Sequence, residues 1–572
     1  MSYPGRPATA ATAAVRHARD FLFEHAYDYD GAVKGFRWPE LTEFNFALEW
    51  FDVVAGEHPH RAAVTIVDPD FSAHSWTYAE LAERSDRVAS WFTAIGIKRG
   101  DRAIVMLNNS IEIWDVLLGL LKVGAVAIPT STLLSAADLD YRITQAEAGF
   151  AFAPVTLNHR FTEIPGDVVR IGVGDVTPPG WFNFADSLRA PDGFEPDGPT
   201  PADSLSLLYF TSGTTARPKL VRHTQVSYPV GHLSTMWWLG VRPGDVHLNI
   251  SSPGWGKHAW SNFFSPFLAQ ATVFIFNYDR FDAAALMRVM DTHHVTSFCA
   301  PPTVWRMLIQ ADLSQLSTPP RELVGAGEPL NPEVISKVRH AWGGTIRDGF
   351  GQTEMTCCIG NSPGQVVKDG SMGRPMPGYA VVLLDPVTGE PSPSEGEICL
   401  DLSVPNIALM AEYHNDPEMT AEARRGGFYH TGDIGSADAD GYITYIGRAD
   451  DVFKASDYKI SPFELESILL EHPYVTEVAI VPSPDRLRLA VPKAFVCLVA
   501  DSADSPEAAA ESIYAHARER LSAYQLIRIM EFIDELPKTI SGKIRRVELR
   551  EREASRVASE SLGNQFLERD FR

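Results

Sequence analysis

The chain has 572 residues, of which 45% are hydrophobic and 22% charged, and its formal net charge is -23. That length exceeds what one hydrophobic core supports and implies roughly three to four domain-sized units. The charge excludes nucleic acid and anionic membrane surfaces as general partners, because both are repelled, so an anionic nucleotide needs local positive groups.

Five cysteines, Cys299, Cys357, Cys358, Cys399 and Cys497, lack Cys-x-x-Cys spacing. That suits a reducing compartment and predicts neither a zinc site nor a disulfide framework. The N-terminus has no continuous apolar signal core, and the most apolar stretch, residues 111–121, is too short for a bilayer and contains Glu112 and Asp115. The expectation is a cytoplasmic protein without a membrane span.

Residues 1–40 read as a lead-in without identifiable chemistry. Thr77 and Glu80 have capping-box spacing, and Leu81, Val88, Phe92 and Ile95 mark the apolar face of the helix they open. Strands at 102–107 and 125–129 flank a helix at 113–123. This alternation predicts an α/β fold with a parallel sheet covered on both faces.

The apolar run 205–210 empties into Thr211-Ser212-Gly213-Thr214-Thr215-Ala216-Arg217-Pro218-Lys219. Backbone N–H groups and short hydroxyls in such a loop surround phosphate oxygens. It is not a Walker A loop, because Pro218 stands where the second glycine belongs and Leu220 where the magnesium-binding hydroxyl belongs. Strands at 246–250, 271–276 and 297–300, with a helix at 282–293, make a second α/β layer. Between them, Gly254-Trp255-Gly256-Lys257-His258-Ala259-Trp260 reads as a pocket wall, with His258 a gate rather than a metal ligand.

A strand over 321–326 breaks at Gly327, and Asp348-Gly349-Phe350-Gly351-Gln352-Thr353-Glu354 forms a second loop. Phe350 can stack on a purine, Thr353 can donate to phosphate, and Glu354 can hold Mg²⁺ through oxygen. Asp433, in a turn beside a strand, is placed to accept both ribose hydroxyls, and Asp440-Gly441 makes a hairpin. Gly447 to Asp451 divides two compositionally distinct regions. Beyond it come helices at 462–471 and 507–521, strands at 478–481 and 493–499, and a basic turn carrying Lys543.

Together the Thr211–Lys219 loop, Phe350-Gly351-Gln352-Thr353-Glu354, Thr431-Gly432-Asp433 with Gly447-Arg448-Ala449-Asp450, and Pro537-Lys538-Thr539-Ile540-Ser541-Gly542-Lys543 resemble the adenylate-forming superfamily. That superfamily comprises AMP-forming acyl-CoA synthetases, luciferases and peptide-synthetase adenylation domains. Trp255-x-x-His258-Ala259-Trp260 and Gly351 make the chain most similar to medium-chain acyl-CoA synthetases.

The resemblance implies an N-terminal domain over 41–447, built of two doubly wound α/β subdomains and a small β-barrel-like subdomain. It further implies a hinge over 448–450 at Asp450, and a small mobile α+β C-terminal domain over 451–572. A carboxylate attacks the ATP α-phosphate to give acyl-AMP and pyrophosphate, and CoA thiol then displaces AMP. By motif, Thr211, Ser212, Gly213, Thr214, Thr215 and Lys219 hold phosphates, and Thr353 and Glu354 hold phosphates and Mg²⁺. Gly327, Glu328, Pro329, Asp348, Gly349, Phe350, Gly351 and Gln352 line the nucleotide site, and Asp433 and Arg448 bind ribose. Lys543 bridges the attacking carboxylate and the α-phosphate as catalyst.

Trp255, His258 and Gly351 are implied for the acyl pocket, and Ser456, Asp457, Tyr458, Lys459 and Arg488 for CoA, with Lys493 a further cation. Acetate-specific relatives carry Trp where Gly351 stands, so a medium-chain or small aryl acid is expected. Ala216-Arg217, Asp457 and Gln525 depart from the family pattern, the last two on the CoA side. The expected partners are thus a carboxylic acid, ATP and CoA, with the protein a monomer or homodimer. A carrier-protein acceptor and a catalytically silent nucleotide binder are the competing readings.

Overall fold

A computed structural model describes residues 3–162, 164, 167–211, 218–328, 330–455, 458–485, 489–500, 503, 505–539, 544–558 and 565–571. The chain forms two compact units, Met1–Val381 with Leu400–Tyr429, and Val382–Cys399 with His430–Arg572.

The first unit holds two sheets. In one, Arg347–Phe350, Glu322–Ala326, Ser297–Ala300, Val246–Asn249, Thr272–Phe276 and Ala62–Val67 run parallel in that order. In the other, Leu205–Thr211, Val126–Pro129, Arg102–Val105, Phe150–Pro154, Val169–Val173 and Phe182–Asn183 are parallel, with Lys219–Thr224 antiparallel on the Leu205–Thr211 edge. Strand Thr272–Phe276 is buried at every position, as parallel strands covered on both faces are.

Local signals agree with the fold. Thr77 Oγ1 accepts from the Glu80 N–H at 3.2 Å, while Glu80 Oε2 accepts from the Thr77 N–H at 2.8 Å, opening helix Tyr78–Ala94. Helix Ile111–Val123 stops at Gly124, whose φ of 77° suits glycine. Phe274, Phe298, Trp305 and Trp342 anchor one core, and Ile104, Ile128, Leu208 and Phe210 a second. Strands Leu205–Thr211 and Glu322–Ala326, which lead into two of the sequence motifs, therefore rise from buried sheets. Among the described residues, no helix is long and apolar enough to cross a membrane.

In the second unit, strands Val381–Leu384, Glu395–Asp401, Phe428–Ala437 and Ile443–Arg448 lie side by side in that order. Among the described residues the first and last do not pair, so the subdomain expected to be barrel-like is an open array without closure. A second sheet follows in the order Val475–Asp485, Leu489–Leu498, Ile529–Phe532 and Gln565–Leu567. Helices Pro462–Leu470 and Pro506–Arg520 share its core through Leu465, Leu469, Val478, Val496, Ile513 and Tyr514. This is the expected α+β arrangement.

Lys493 is fully buried there, 2.6 Å from Glu531 and 2.5 Å from Glu553. A lysine closed in by two carboxylates cannot reach a CoA phosphate, and the expectation for Lys493 is corrected. It holds the sheet together.

Candidate functional site

The phosphate loop opens where Thr211 pairs with Lys219 across two antiparallel strands. Ser212, Gly213, Thr214 and Thr215, with Ala216 and Arg217, lie outside the described residues. The loop's base leads directly to the second motif. Lys219 Nζ sits 5.1 Å over the Tyr413 ring. The Tyr413 hydroxyl donates to Glu354 Oε1 at 2.9 Å, and the Met410 N–H donates to the Glu354 carbonyl at 2.7 Å. Glu354 is 8% exposed. A carboxylate so enclosed keeps one orientation.

Thr353 is fixed from behind. His223 Nε2 donates to its carbonyl at 2.7 Å, and the Ser227 hydroxyl lies 3.0 Å from His223 Nδ1. Burial pushes the His223 pKa down to about 3, so the ring is neutral and its proton stays on Nε2. Neither His223 nor Tyr413 belongs to a motif found in the sequence. Each meets its partner only through long-range folding: His223 is 130 residues from Thr353, and Tyr413 is 59 from Glu354.

Gly327 has φ 109°, which lets the chain turn sharply as it leaves strand Glu322–Ala326. Pro329 lies outside the described residues. Asp348 is buried, which raises its pKa to about 7, opposed mainly by the N–H of Gly349 donating at 2.8 Å. A Cβ on Gly349 would lie 2.5 Å from Trp238, whose Nε1 donates to the Asp348 carbonyl at 3.1 Å. Glycine is therefore required there by packing. Phe350 ends this strand half-buried, and the Tyr429 hydroxyl donates to Gln352 Oε1 at 3.2 Å.

Lys257, which the sequence placed only in a pocket wall, donates to the Ala326 carbonyl at 3.2 Å. Burial lowers its pKa, against the nearby Cys299, Glu328 and Asp348. Lys257 is thus held at the end of strand Glu322–Ala326, within electrostatic range of Glu328 and Asp348.

On the acyl side, Trp255 is half-buried. His258 is only 2% exposed, its Nε2 donates to Asn109 Oδ1 at 3.1 Å, and its ring lies 5.8 Å from that of Trp114. Burial holds its pKa near 3. His258 is a packed, neutral side chain rather than the gate expected. Gly351 faces Trp260, whose Nε1 donates to the Tyr228 hydroxyl at 2.9 Å.

In the second unit, Asp433 is buried, with Arg448 Nη1 3.3 Å from Oδ2 and the Tyr445 hydroxyl donating to Oδ1 at 3.2 Å. Thr431 Oγ1 accepts from the Asp433 N–H at 3.1 Å and donates to the Ile398 carbonyl at 2.6 Å. Gly432, at φ 72°, donates its N–H to Glu397 Oε1 at 2.9 Å, and Glu397 Oε2 lies 2.8 Å from His430 Nδ1. The sequence assigns Glu397 and His430 no role; Glu397, from the neighbouring strand Glu395–Asp401, braces the Thr431-Gly432-Asp433 turn. Arg448 Nε is also 3.6 Å from Asp450, so Asp433, Arg448 and Asp450 form one chain of charges.

Ser456, Asp457 and Arg488 lie outside the described residues, as does Lys543. Tyr458 and Lys459 belong to strand Tyr458–Ile460, which pairs with Phe453–Ala455. Lys538 pairs with Ile544, and its Nζ lies 2.6 Å from Glu477.

Residues 51–413 match the AMP-binding enzyme family, and residues 464–543 match the AMP-binding enzyme C-terminal domain. The 4-hydroxybutyrate–CoA ligase 1 of Metallosphaera sedula is 41% identical over 92% of this chain and 93% of its own length. The mitochondrial acyl-coenzyme A synthetase ACSM3 of Homo sapiens is 35% identical, covering 92% of each chain. The anthranilate CoA ligase AuaEII, solved with anthranoyl-AMP, superposes with a TM-score of 0.81 at 26% identity, over 91% of this chain and 99% of that one. Family match, near-complete coverage and fold agree, and the chain belongs to the AMP-binding enzyme family as an AMP-forming acyl-CoA synthetase.

Proposed function

We propose that this ATP-dependent acid–CoA ligase carries out both half-reactions with the residues the motifs identify, on an acid larger than acetate. The observation that supports the reading most is the run Lys219–Tyr413–Glu354, joined to His223 behind Thr353. It brings the base of the phosphate loop and the Thr353-Glu354 pair into one packed group. Phosphate oxygens entering that group meet a lysine and the Thr353 hydroxyl. Around Thr353, the buried histidine of the packing is neutral and adds no competing charge.

Glu354 is the oxygen donor for Mg²⁺. The residues present fit a hard cation, since a buried carboxylate held by a tyrosine hydroxyl is oriented in advance. Bound there, Mg²⁺ would neutralise charge on the departing pyrophosphate. Asp433 takes the ribose hydroxyls, with Arg448 and Tyr445 holding its carboxylate in place. Gly327, Glu328, Pro329 and Asp348 line the adenine slot, with Phe350 stacked on the base.

Lys543 supplies the ammonium between the attacking carboxylate and the α-phosphate. The charge it offsets grows in the transition state, so it lowers the barrier rather than merely tightening binding. The Asp450 hinge then moves Lys543 away so that the CoA thiol can attack the acyl carbonyl from the vacated side. Tyr458 and Lys459, with Ser456, Asp457 and Arg488, border the path of the pantetheine. The acid carries a carbon body beyond acetate, because no tryptophan occupies position 351. Similar proteins include a 4-hydroxybutyrate–CoA ligase and an anthranilate CoA ligase. The reaction belongs to the cytoplasm.

The test is carboxylate-dependent pyrophosphate release across a panel of acids, with and without CoA. Release that turns over only with CoA, and falls by about two to three decades in Lys543→Ala, is the expected result. A single equivalent of release that CoA cannot sustain would move the acceptor to a carrier protein.

A further inference from the structure

We infer that Glu397, Cys399 and His430 of the small unit form a site for one zinc-like divalent cation, separate from the Mg²⁺ of the phosphate chemistry. Glu397 and Cys399 lie two residues apart on strand Glu395–Asp401, so their side chains leave the same face. His430 stands on the neighbouring strand Phe428–Ala437, 31 residues from Cys399. Cysteine spacing shows no zinc pattern in this chain because these ligands meet only when the two strands pair.

The distances suit a small cation. Cys399 Sγ lies 3.5 Å from His430 Nδ1, and His430 Nδ1 lies 2.8 Å from Glu397 Oε2. One ligand atom from each of the three residues falls within 4.8 Å of the others. Zinc takes a thiolate at about 2.3 Å and an imidazole or carboxylate at about 2.0–2.2 Å, so tetrahedral angles put ligand atoms about 3.4–3.6 Å apart. The sulfur–nitrogen pair already stands at that separation. The nitrogen–oxygen pair opens by roughly half an ångström when its hydrogen bond gives way to two metal bonds.

Glu397 Oε1 accepts the Gly432 N–H at 2.9 Å, so the carboxylate coordinates through Oε2 alone. Three protein ligands leave a fourth position for water, reached from the side where the Glu397 and His430 side chains keep 8% and 10% exposure. Cys399 is fully buried, and its thiol proton passes to solvent on binding. One sulfur, one nitrogen and one oxygen make a borderline-soft set that favours zinc, whereas Mg²⁺ keeps to oxygen. Bound there, the ion ties strand Glu395–Asp401 to strand Phe428–Ala437 and holds the carboxylate on which the Thr431-Gly432-Asp433 turn rests.

The test strips the full-length, reduced protein with a chelator and uses no nucleotide. Zn²⁺ is then titrated by calorimetry, and Co²⁺ by absorption spectroscopy, both in excess Mg²⁺. One saturable equivalent of Zn²⁺ is expected. Co²⁺ should give a thiolate charge-transfer band with the intense visible bands of a tetrahedral ion. Cys399→Ala leaves the Glu397–Gly432 bond in place and removes the charge-transfer band. Its Zn²⁺ affinity falls by more than the roughly ten- to hundredfold that loss of an outer partner costs a metal site. Cys399→Ser serves if the alanine variant does not fold. His430→Gln weakens Zn²⁺ by a similar factor, while Cys357→Ala, in the large unit, changes neither signal.

A wild type that binds no Zn²⁺, or that binds Co²⁺ without the thiolate band, overturns the inference and leaves the three residues a hydrogen-bonded brace. So does a folded Cys399→Ala or Cys399→Ser variant that binds as the wild type does, because the ion then sits elsewhere. Neither result touches the ligase reading, since no turnover is measured.

Discussion

Around Thr353 the large unit buries His223, His232 and His258, all with pKa values pushed down by burial, among Tyr228, Trp260 and Phe264. In the small unit, Lys493 lies between Glu531 and Glu553, with Arg556 on Glu553 at 2.6 Å, and Arg546 grips Glu466 at 2.6 Å. Both regions bury polar side chains, but they satisfy them differently. The first keeps its rings neutral and hydrogen-bonded, so the packing behind Thr353 adds no fixed charge of its own. The second keeps full charges and pairs each of them. A neutral wall suits a site that must favour charge developing on the substrate. A paired network suits a small sheet that needs a specific, rigid core.

Removing Lys493 breaks the comparison most sharply. Lys493→Met leaves Glu531 and Glu553 without their shared cation in a buried position. The expected loss is about 3–5 kcal/mol of stability, the range for unpairing a buried charge. Urea unfolding at neutral pH measures it. A loss below about 1 kcal/mol would mean that Arg552, which pairs with Glu531, and Arg556, which pairs with Glu553, compensate the two carboxylates, and the network is redundant.

A smaller effect is expected on the neutral side. Tyr413→Phe removes one hydroxyl from Glu354 while keeping the ring over Lys219. A hydrogen bond to a charged group contributes about 1.5–3 kcal/mol. Loss of this one predicts roughly a tenfold to hundredfold fall in the rate of pyrophosphate release, with a higher Mg²⁺ requirement. An unchanged Mg²⁺ requirement would leave Tyr413 as packing only.

How much of this was legible beforehand depends on distance along the chain. The Thr77–Glu80 cap, the strand alternation and the four motifs lie within short windows, and the structure forms helices and strands where their periodicity places them. His223 and Tyr413 work through partners reached only after the sheet assembles, so no local pattern marks them. Lys493 was misread because a lysine near a CoA motif invites a phosphate. Its setting in Val491-Pro492-Lys493-Ala494-Phe495-Val496 is an apolar run, and a charge inside such a run points to a buried partner. Gly351 was read for what it lacks, while Trp260, ninety-one positions earlier, supplies what fills the gap.

The finest discrimination between the two regions is in pH. The folded state holds His258 near 3, whereas an unfolded histidine titrates near 6.5. The unfolded chain therefore takes a proton that the folded chain refuses. The contribution of His258 is complete above pH 6.5 and is lost as pH falls toward 3, at on the order of 1 kcal/mol per pH unit. Asp348, raised to about 7, acts in the opposite sense on acidification, so the total slope of the protein is not the right observable. The difference between wild type and His258→Gln is. Glutamine can still donate to Asn109 but cannot be protonated. Urea midpoints at pH 7 and pH 5 should therefore move closer together in the variant than in the wild type. Glu553, held near 2 and paired with Lys493 and Arg556, begins to weaken the small unit only below the ordinary glutamate value of 4.5. A His258→Gln variant with the same separation of midpoints as the wild type would show that the imidazole finds water on acidification, and that the wall around Thr353 is not dry.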